Sequence, residues 1–255
     1  MESAHDQAVY YQIPINLTEP LETDIALVRA PEYRRLDLEK AAYRLQLEML
    51  VEERSKELDE TLQDLNELHG AGFETLAMAL DLRDEGTSGH SRRVADMTRD
   101  IGRNLGITDG DLEHIERGAL LHDIGKLRIP DSILWKPAGL NPDEWQIMRR
   151  HPEYGYDFVR EIDILHGAAD IILSHHERFD GSGYPRGLKG TEISLGARIF
   201  SLVDAVDAMV HDRPYHRGMS FPTACEEILR LAGSQFDPEL VEPALEHLED
   251  YLELP

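Results

Sequence analysis

Two adjacent histidines stand in the stretch IILSHHERFDGSGYPRGL, which covers residues 171–188. An apolar run leads into His175 and His176, so both imidazoles follow directly on a core-like segment. Imidazole is a common ligand of transition metals, and a histidine pair indicates a metal site when further ligands converge on it.

A turn-rich loop, DGSGYP, follows the histidine pair. Gly181 and Gly183 permit backbone conformations that other residues avoid, and Pro185 restricts the exit from the loop. Such a loop can hold the Tyr184 side chain away from the surface of the preceding helix. The alternative is a turn with a structural role only.

Five other residues combine metal-ligating chemistry with positions at which a core residue or a helix end is expected. His122 and Asp123 lie in the apolar segment GALLHDIG, and Asp204 lies in IFSLVDAVDAM, where a core would favour leucine. Buried charges are tolerated when they are paired or coordinate a metal. His90 follows a glycine at a predicted helix start, and His151 follows two arginines at a predicted helix end.

The pair His122–Asp123 is predicted to lie on a helix, where adjacent side chains point about 100° apart. The two side chains therefore cannot chelate one ion neatly, but each can meet a different ion. Five imidazoles and two carboxylates from separate helices could hold two divalent ions, with one carboxylate bridging. One His–Asp pair is weak evidence, whereas the joint set is much stronger. Asp207, three residues after Asp204, is expected to support a ligand or to pack in the core.

The elements that must position these residues are predicted to be helices. From about Glu32 to Gly70 the chain consists largely of strong helix formers with many charges. Apolar residues fall on a seven-residue grid of three and four steps: Val51, Leu58, Leu62, Leu65 and Leu76. This pattern predicts a long helix with coiled-coil tendency and a homodimer through that helix. The alternative is a single, solvated amphipathic helix.

The remainder of the chain also has helical periodicity, and strand-like alternation is nearly absent. Val94, Met97 and Ile101 share one face ahead of Gly106, a pattern typical of a helix that ends in a glycine C-cap. The following segment, TDGDLEHIERGALLHDIGK, opens with a plausible cap and continues with helical spacing. The predicted fold class is all-α.

Composition excludes several classes of function. The 255 residues include 26 Lys and Arg against 50 Asp and Glu, a formal net charge of −24. Such a charge repels nucleic-acid polymers, because proteins bind them mostly by neutralising the backbone phosphates. A small anionic substrate can still bind where local cations outweigh the negative potential of the whole chain. A single cysteine forms no internal disulfide, and neither a signal peptide nor a membrane span is evident. We therefore expect a cytoplasmic protein without a membrane partner.

The motifs taken together closely resemble the HD-GYP family, a branch of the HD metal-dependent phosphohydrolases. They are HDIGK, IPDSILWKPAGLNPDEWQIMRRHP, HHERFDGSGYPRGL, ARIFSLVDAVDAM and RPY, in that order, between about Asp84 and about Leu245. The resemblance implies an HD-type helical bundle behind the long N-terminal helix. Residues 1–31 would be an irregular segment and a candidate remnant of an input domain, 32–83 a helical, coiled-coil linker and 84–255 the catalytic domain.

The resemblance also implies a binuclear metal site. One ion would be bound by His90, His122, Asp123 and Asp204, and the second by His151, His175 and His176, with Asp123 bridging. A mixed imidazole and carboxylate set suits iron or manganese, while ligand type alone leaves zinc, nickel and cobalt open. Some relatives hold a third metal through a glutamate at the position of Gly86, so two ions are expected here.

Substrate contacts are implied by the same resemblance. Lys126 and Arg213 match residues that contact phosphate or base, and Gly183, Tyr184 and Pro185 form the GYP loop that shapes the mouth of the site. The family often has a basic residue where His216 stands. Asp123 and Lys126 are the implied catalytic residues, and the general acid stays open between Lys126 and a metal-bound water.

The implied activity is hydrolysis of cyclic di-GMP to the linear dinucleotide pGpG, and in some relatives on to GMP, by two-metal activation of a bridging hydroxide. A phosphodiesterase for the mixed cyclic GMP-AMP is one alternative. A weakly active adaptor that binds diguanylate cyclase (GGDEF) domains through the GYP loop is another. A deoxynucleotide triphosphohydrolase is disfavoured, because the double histidine and GSGYP belong to the HD-GYP branch.

Overall fold

The computed structural model describes residues 20–84, 89–212 and 217–252. Within these ranges the chain forms ten α-helices and no named strand, so the all-α prediction is confirmed. The helices are α1 (Pro20–Asp84), α2 (His90–Asn104), α3 (Asp109–Leu120), α4 (Asp131–Leu134), α5 (Pro142–Met148), α6 (His151–Val159), α7 (Ala169–Ser174), α8 (Leu195–Val210), α9 (Phe221–Arg230) and α10 (Pro238–Leu252). Shorter 3₁₀ helices cover Ile124–Arg128, Asp163–Ala168 and Gly190–Glu192.

The long helix begins earlier than the sequence predicted. Residues 20–31 are helical rather than irregular, and Pro31 lies inside α1. A proline suits the first turn of a helix, where its missing N–H has no partner in any case, so Pro20 marks a start rather than an interruption. Residues 1–19 lie outside the described part, and the irregular segment remains a prediction there.

The chain divides into two compact units between Asn66 and Glu67, which falls inside the predicted linker 32–83. In the first unit, the coiled-coil positions Val51, Leu58 and Leu62 are exposed in the single chain. In the second unit, α1 becomes amphipathic, and Ala77 and Leu80 are buried in the core. The assignment of the domain roles remains a prediction.

The core of the second unit is built by α2, α3, α7, α8 and α10. Val94 and Met97 of α2 are fully buried against α8, whose Phe200 and Val203 are also fully buried. Two glycines let the surrounding helices approach closely. A Cβ at Gly118 of α3 would lie 2.8 Å from the Ile171 side chain, and one at Gly196 of α8 would meet Ile115 at 2.7 Å. This close packing fixes the position of α7 against α3 and α8.

Helix α3 was predicted to include His122, but it ends before that residue. It stops at Leu120, and His122 and Asp123 lie in the turn before the 3₁₀ helix Ile124–Arg128. The backbone there pairs residues three apart, as in the bonds from Ile124 to Leu121 and from Lys126 to Asp123. The prediction that the pair lies on a helix is therefore wrong.

Gly125 explains the tight path after that turn. A Cβ at this position would lie 1.9 Å from the carbonyl oxygen of His151, so the 3₁₀ segment packs directly on the start of α6. No helix in the described part of the chain is long and apolar enough to cross a membrane.

Candidate metal centre

The candidate ligands come from the ends of helices and from the middle of α8. His90 and His151 are the first residues of α2 and α6, and Asp204 lies within α8. His175 and His176 directly follow α7. Because helix packing fixes each of these positions, side chains far apart in sequence converge on one place.

The structure brings the candidate ligands together as two groups of three. In each group one ligand atom per residue lies within 4.8 Å of the others. The first group is His90, His122 and Asp204, and the second is His151, His175 and His176. The groups are neighbours, since the rings of His122 and His175 have centroids 5.3 Å apart.

Asp123 lies between the two groups. Its Oδ2 is 3.0 Å from Nε2 of His122, and its Oδ1 is 3.3 Å from Nε2 of His151. One carboxylate oxygen thus faces each group, which is the arrangement that a bridging ligand requires. Burial raises the pKa of Asp123, but His122 and Lys126 outweigh burial and hold it well below its usual range.

Three imidazoles are oriented by backbone carbonyls three residues earlier. The Nδ1 atoms of His122, His151 and His175 donate to the carbonyl oxygens of Ala119, Met148 and Ile172 at 2.8, 2.8 and 2.7 Å, respectively. A proton held on Nδ1 leaves the lone pair on Nε2, which is how protein scaffolds usually present histidine to a metal.

His90 is oriented by a carboxylate instead. Its Nδ1 lies 2.6 Å from Oδ2 of Asp207, a buried residue that also binds Arg93. Burial lowers the pKa of His90, but hydrogen bonds to Asp204 and Asp207 outweigh it and raise the pKa to about 10. Asp207 belongs to neither group of ligands, in agreement with the supporting role expected for it.

The donor chemistry fits a divalent metal ion. Burial lowers the pKa of His176 to about 3 and, with the neighbouring histidines, holds that of His175 well below its usual range, so both rings are neutral. The Nε2 atoms of His151 and His175 lie 3.0 Å apart. Because the Nδ1 atoms of both rings donate to carbonyls, two lone pairs face each other there, and a cation between them relieves the repulsion.

Lys126 borders the centre on the side of α1. Its ammonium lies 2.8 Å from Oδ2 of Asp123 and 2.5 Å from Oδ2 of Asp84. Burial lowers its pKa, but the two carboxylates outweigh burial and raise it, so Lys126 is charged. A pocket lined by His90, Asp123, Lys126 and the end of α1 opens beside it.

The GYP loop contacts the second group of ligands directly. The Tyr184 ring stacks on His176 with centroids 4.8 Å apart, and the Tyr184 amide donates to the His176 carbonyl. Gly183 must be a glycine, because a Cβ there would lie 2.4 Å from the Arg178 nitrogen. Tyr184 is therefore held against a candidate ligand.

Glu177 is a structural residue whose role the sequence did not reveal. Its buried carboxylate accepts hydrogen bonds from the amides of Arg186, Gly187 and Leu188, at 2.7, 3.1 and 3.1 Å. It therefore anchors the loop downstream of Tyr184. The available signal was an acidic residue three positions before the glycine-rich loop DGSGYP, because the amides of such a loop need acceptors.

Several predicted positions lie outside the described residues. They are Arg213, His216 and Gly86. The implied contacts of Arg213 and the question of a third metal therefore remain predictions.

Comparison with known proteins identifies the family. The sequence profile of the HD domain family matches residues 74–240 of this chain. This chain belongs to the HD domain family. The HD match spans all seven candidate ligands, and the predicted HD-GYP branch is confirmed by the curated relatives.

Curated relatives of this HD domain are named as cyclic-dinucleotide phosphodiesterases. The chain is 38% identical, over 76% of its length, to the cyclic di-GMP phosphodiesterase response regulator RpfG of Xanthomonas campestris pv. campestris. It is 42% identical over 68% to a cyclic di-GMP phosphodiesterase of Thermotoga maritima, and 36% identical over 74% to the 3'3'-cGAMP-specific phosphodiesterase 2 of Vibrio cholerae. These alignments cover 53%, 48% and 37% of the relatives, so the chain spans between about a third and about half of their length.

A solved structure has the same fold. The crystal structure of a cyclic GMP-AMP-specific phosphodiesterase of V. cholerae aligns with a TM-score of 0.56 at 23% identity, over 70% of this chain and 48% of that one. At this identity the likeness concerns the fold alone.

Proposed function

We propose that this HD domain is a metal-dependent phosphodiesterase that hydrolyses cyclic di-GMP to linear pGpG. The observation that carries the proposal is the Asp123 carboxylate, which faces both groups of histidine and aspartate ligands. The named activities of the relatives support the substrate class.

The metal requirement is proposed as two divalent ions, with iron or manganese favoured by the mixed imidazole and carboxylate donors. His90, His122 and Asp204 would hold one ion, His151, His175 and His176 the other, and Asp123 would join them. Two such ions supply electrophilic activation of the phosphodiester and of the attacking water.

The side chains around the centre have separate tasks in this proposal. The charged ammonium of Lys126 donates to a substrate phosphate oxygen, which takes the place of the Asp84 carboxylate. Tyr184 closes one wall beside His176 and excludes water from it. Arg213 is the proposed further contact to phosphate or base.

We propose a cytoplasmic homodimer through the exposed apolar positions of α1 in the first unit, and docking of GGDEF domains on the GYP loop. Light scattering tests the dimer: Leu58→Glu combined with Leu62→Glu should convert a dimer of the full chain to a monomer, and an unchanged mass would reject that interface.

Mixed cyclic GMP-AMP is the second candidate substrate, since one group of relatives is named for it. An adaptor without catalysis is disfavoured, because a surface that only docks a partner has no need of seven convergent ligands.

Chromatographic analysis of products tests the activity. The chain, loaded anaerobically with Fe(II) or Mn(II), should convert cyclic di-GMP to pGpG, and His122→Ala should abolish the conversion. Intact cyclic di-GMP after incubation with fully loaded protein would reject this substrate.

A further inference from the structure

A row of rings and one guanidinium extends from the metal centre to the surface. The Tyr184 ring lies on His176, and the Arg149 guanidinium carbon lies 5.4 Å from the Tyr184 ring centroid. The same carbon lies 5.9 Å from the ring centroid of Trp145, one helical turn earlier on α5. This row of Tyr184, Arg149 and Trp145 is called the platform below.

Arg149 is unusual in so acidic a chain. Its guanidinium makes no hydrogen bond or ion pair with any other residue that the structure describes, and it lies over the rings of Trp145 and Tyr184. Its neighbour Arg150 also lies over a ring, that of Tyr154, but pairs with Glu153. Arg149 is therefore held by cation–π contacts while its N–H donors remain available to a ligand.

Trp145 leaves a large apolar face in solvent at the same place. The residue is 47% exposed, although tryptophan is usually well buried. Helix α5 positions its backbone, and the start of that helix is stabilised by a reciprocal capping box of Asn141 and Glu144. An exposed indole beside a guanidinium that has no ion-pair partner among the described residues is the chemistry that recognises a nucleobase, by stacking and by donation to its edge.

We propose that this platform binds one purine base of the substrate and reads guanine through Arg149. The inference rests on the proposed function, because it requires a cyclic dinucleotide whose phosphate lies at the metal centre. Trp145 stacks on the base, which any base permits, whereas Arg149 donates to O6 and N7, acceptors that guanine presents together. Glutamine at this position matches the N6 and N7 edge of adenine instead.

Steady-state kinetics on the manganese-loaded full chain test the platform with three substrates: cyclic di-GMP, 3'3'-cGAMP and methyl p-nitrophenyl phosphate, which has no base. Trp145→Ala should raise KM for both dinucleotides about tenfold with kcat changed less than twofold. Trp145→Phe, which keeps a ring, should restore most of the loss. An equal loss on the baseless diester would indicate a structural role and overturn the proposal.

The arginine is tested by the ratio of the two dinucleotides. Arg149→Gln should lower kcat/KM for cyclic di-GMP about tenfold and shift the preference toward the adenine-containing substrate. Arg150→Gln is the matched control and should leave the preference within twofold. An unchanged preference in Arg149→Gln would overturn base reading by this residue.

Binding without turnover separates this inference from the proposed activity. The chain has two tryptophans, so Trp135→Phe leaves Trp145 as the single indole. Cyclic di-GMP should quench its fluorescence with saturation, even if no hydrolysis is found and the proposed function therefore fails. If hydrolysis occurs but Trp145 neither responds to the nucleotide nor affects KM, the platform is wrong and the activity stands.

Discussion

At the residue scale, the centre depends on how each imidazole is turned. In His122, His151 and His175 the Nδ1 atom donates a hydrogen bond to a backbone carbonyl. In His90 the Nδ1 atom is hydrogen-bonded to Asp207. The remaining nitrogens of His90 and His122 face Asp204, and those of His151 and His175 face each other; His90, whose pKa is raised to about 10, must release a proton before it can bind a metal. Preorganisation of this kind improves affinity, because little conformational freedom is lost when the metal binds.

Asp207 allows a direct test of this orientation. Asp207→Asn keeps the size of the side chain but removes the charge that His90 and Arg93 share. We expect metal affinity to fall about 10- to 100-fold, as is typical when the partner of a ligating histidine is changed. Titration with Mn(II) by calorimetry measures it. Asp109→Asn, an exposed change at the start of α3, is the control, and wild-type affinity in Asp207→Asn would reject the role.

At the scale of elements, the GYP loop is held by one buried carboxylate. Glu177→Ala leaves three part-buried loop amides without their acceptor, and a hydrogen bond to a charged group contributes about 1.5–3 kcal/mol, less where water can replace it. We expect the free energy of unfolding to fall by about 3 kcal/mol and amide exchange at residues 186–188 to accelerate. Urea denaturation and hydrogen exchange measure the two effects. Glu192→Ala is a control in a neighbouring turn, and unchanged exchange at 186–188 would contradict the assignment.

The end of α1 caps the helix that begins with His90. Gly89 has no side chain to cap α2, and Asp81 of α1 accepts from the Gly89 amide at 2.9 Å and from the Ser91 hydroxyl at 2.5 Å. Asp81→Ala should lower the free energy of unfolding by about 1–2 kcal/mol, as the loss of an N-cap does. It should also weaken metal binding through His90, whereas Glu74→Ala on the same helix should not. If Asp81→Ala lowered the stability but left the metal affinity unchanged, the cap would have no role in positioning His90 for the metal.

The sequence correctly predicted helices in which the apolar periodicity continues to the last turn of the helix. Helix α2, its buried face and the glycine that terminates it follow from local pattern, and Gly106 has the expected positive φ of 79°. The turn at His122 could not be predicted, because the apolar spacing runs on through it and the reason for the break is the contact of Gly125 with α6.

The candidate ligands could be named from motifs, but their orientation could not. The partners of His122, His151 and His175 are backbone carbonyls, which every residue possesses. The platform of Trp145, Arg149 and Tyr184 likewise joins two segments about 35 positions apart, and only tertiary structure brings them together.

At the scale of the whole molecule, the net charge of −24 opposes an anionic substrate. Long-range repulsion is screened as the Debye length falls from about 30 Å at 0.01 M salt to about 8 Å at 0.15 M. We therefore expect kcat/KM for cyclic di-GMP to rise severalfold over this range at constant metal concentration. A fall would mean that local cations such as Lys126 and Arg149 dominate the approach.

The most direct test of the central claim is the number of metal ions per folded chain. After anaerobic loading with Mn(II) and removal of free metal, elemental analysis should find two ions in the wild type. Asp123→Asn, which removes the charge that faces both groups, should retain at most one, while the exposed Asp157→Asn should retain two. A single ion in the wild type, or two in Asp123→Asn, would contradict a centre joined by Asp123.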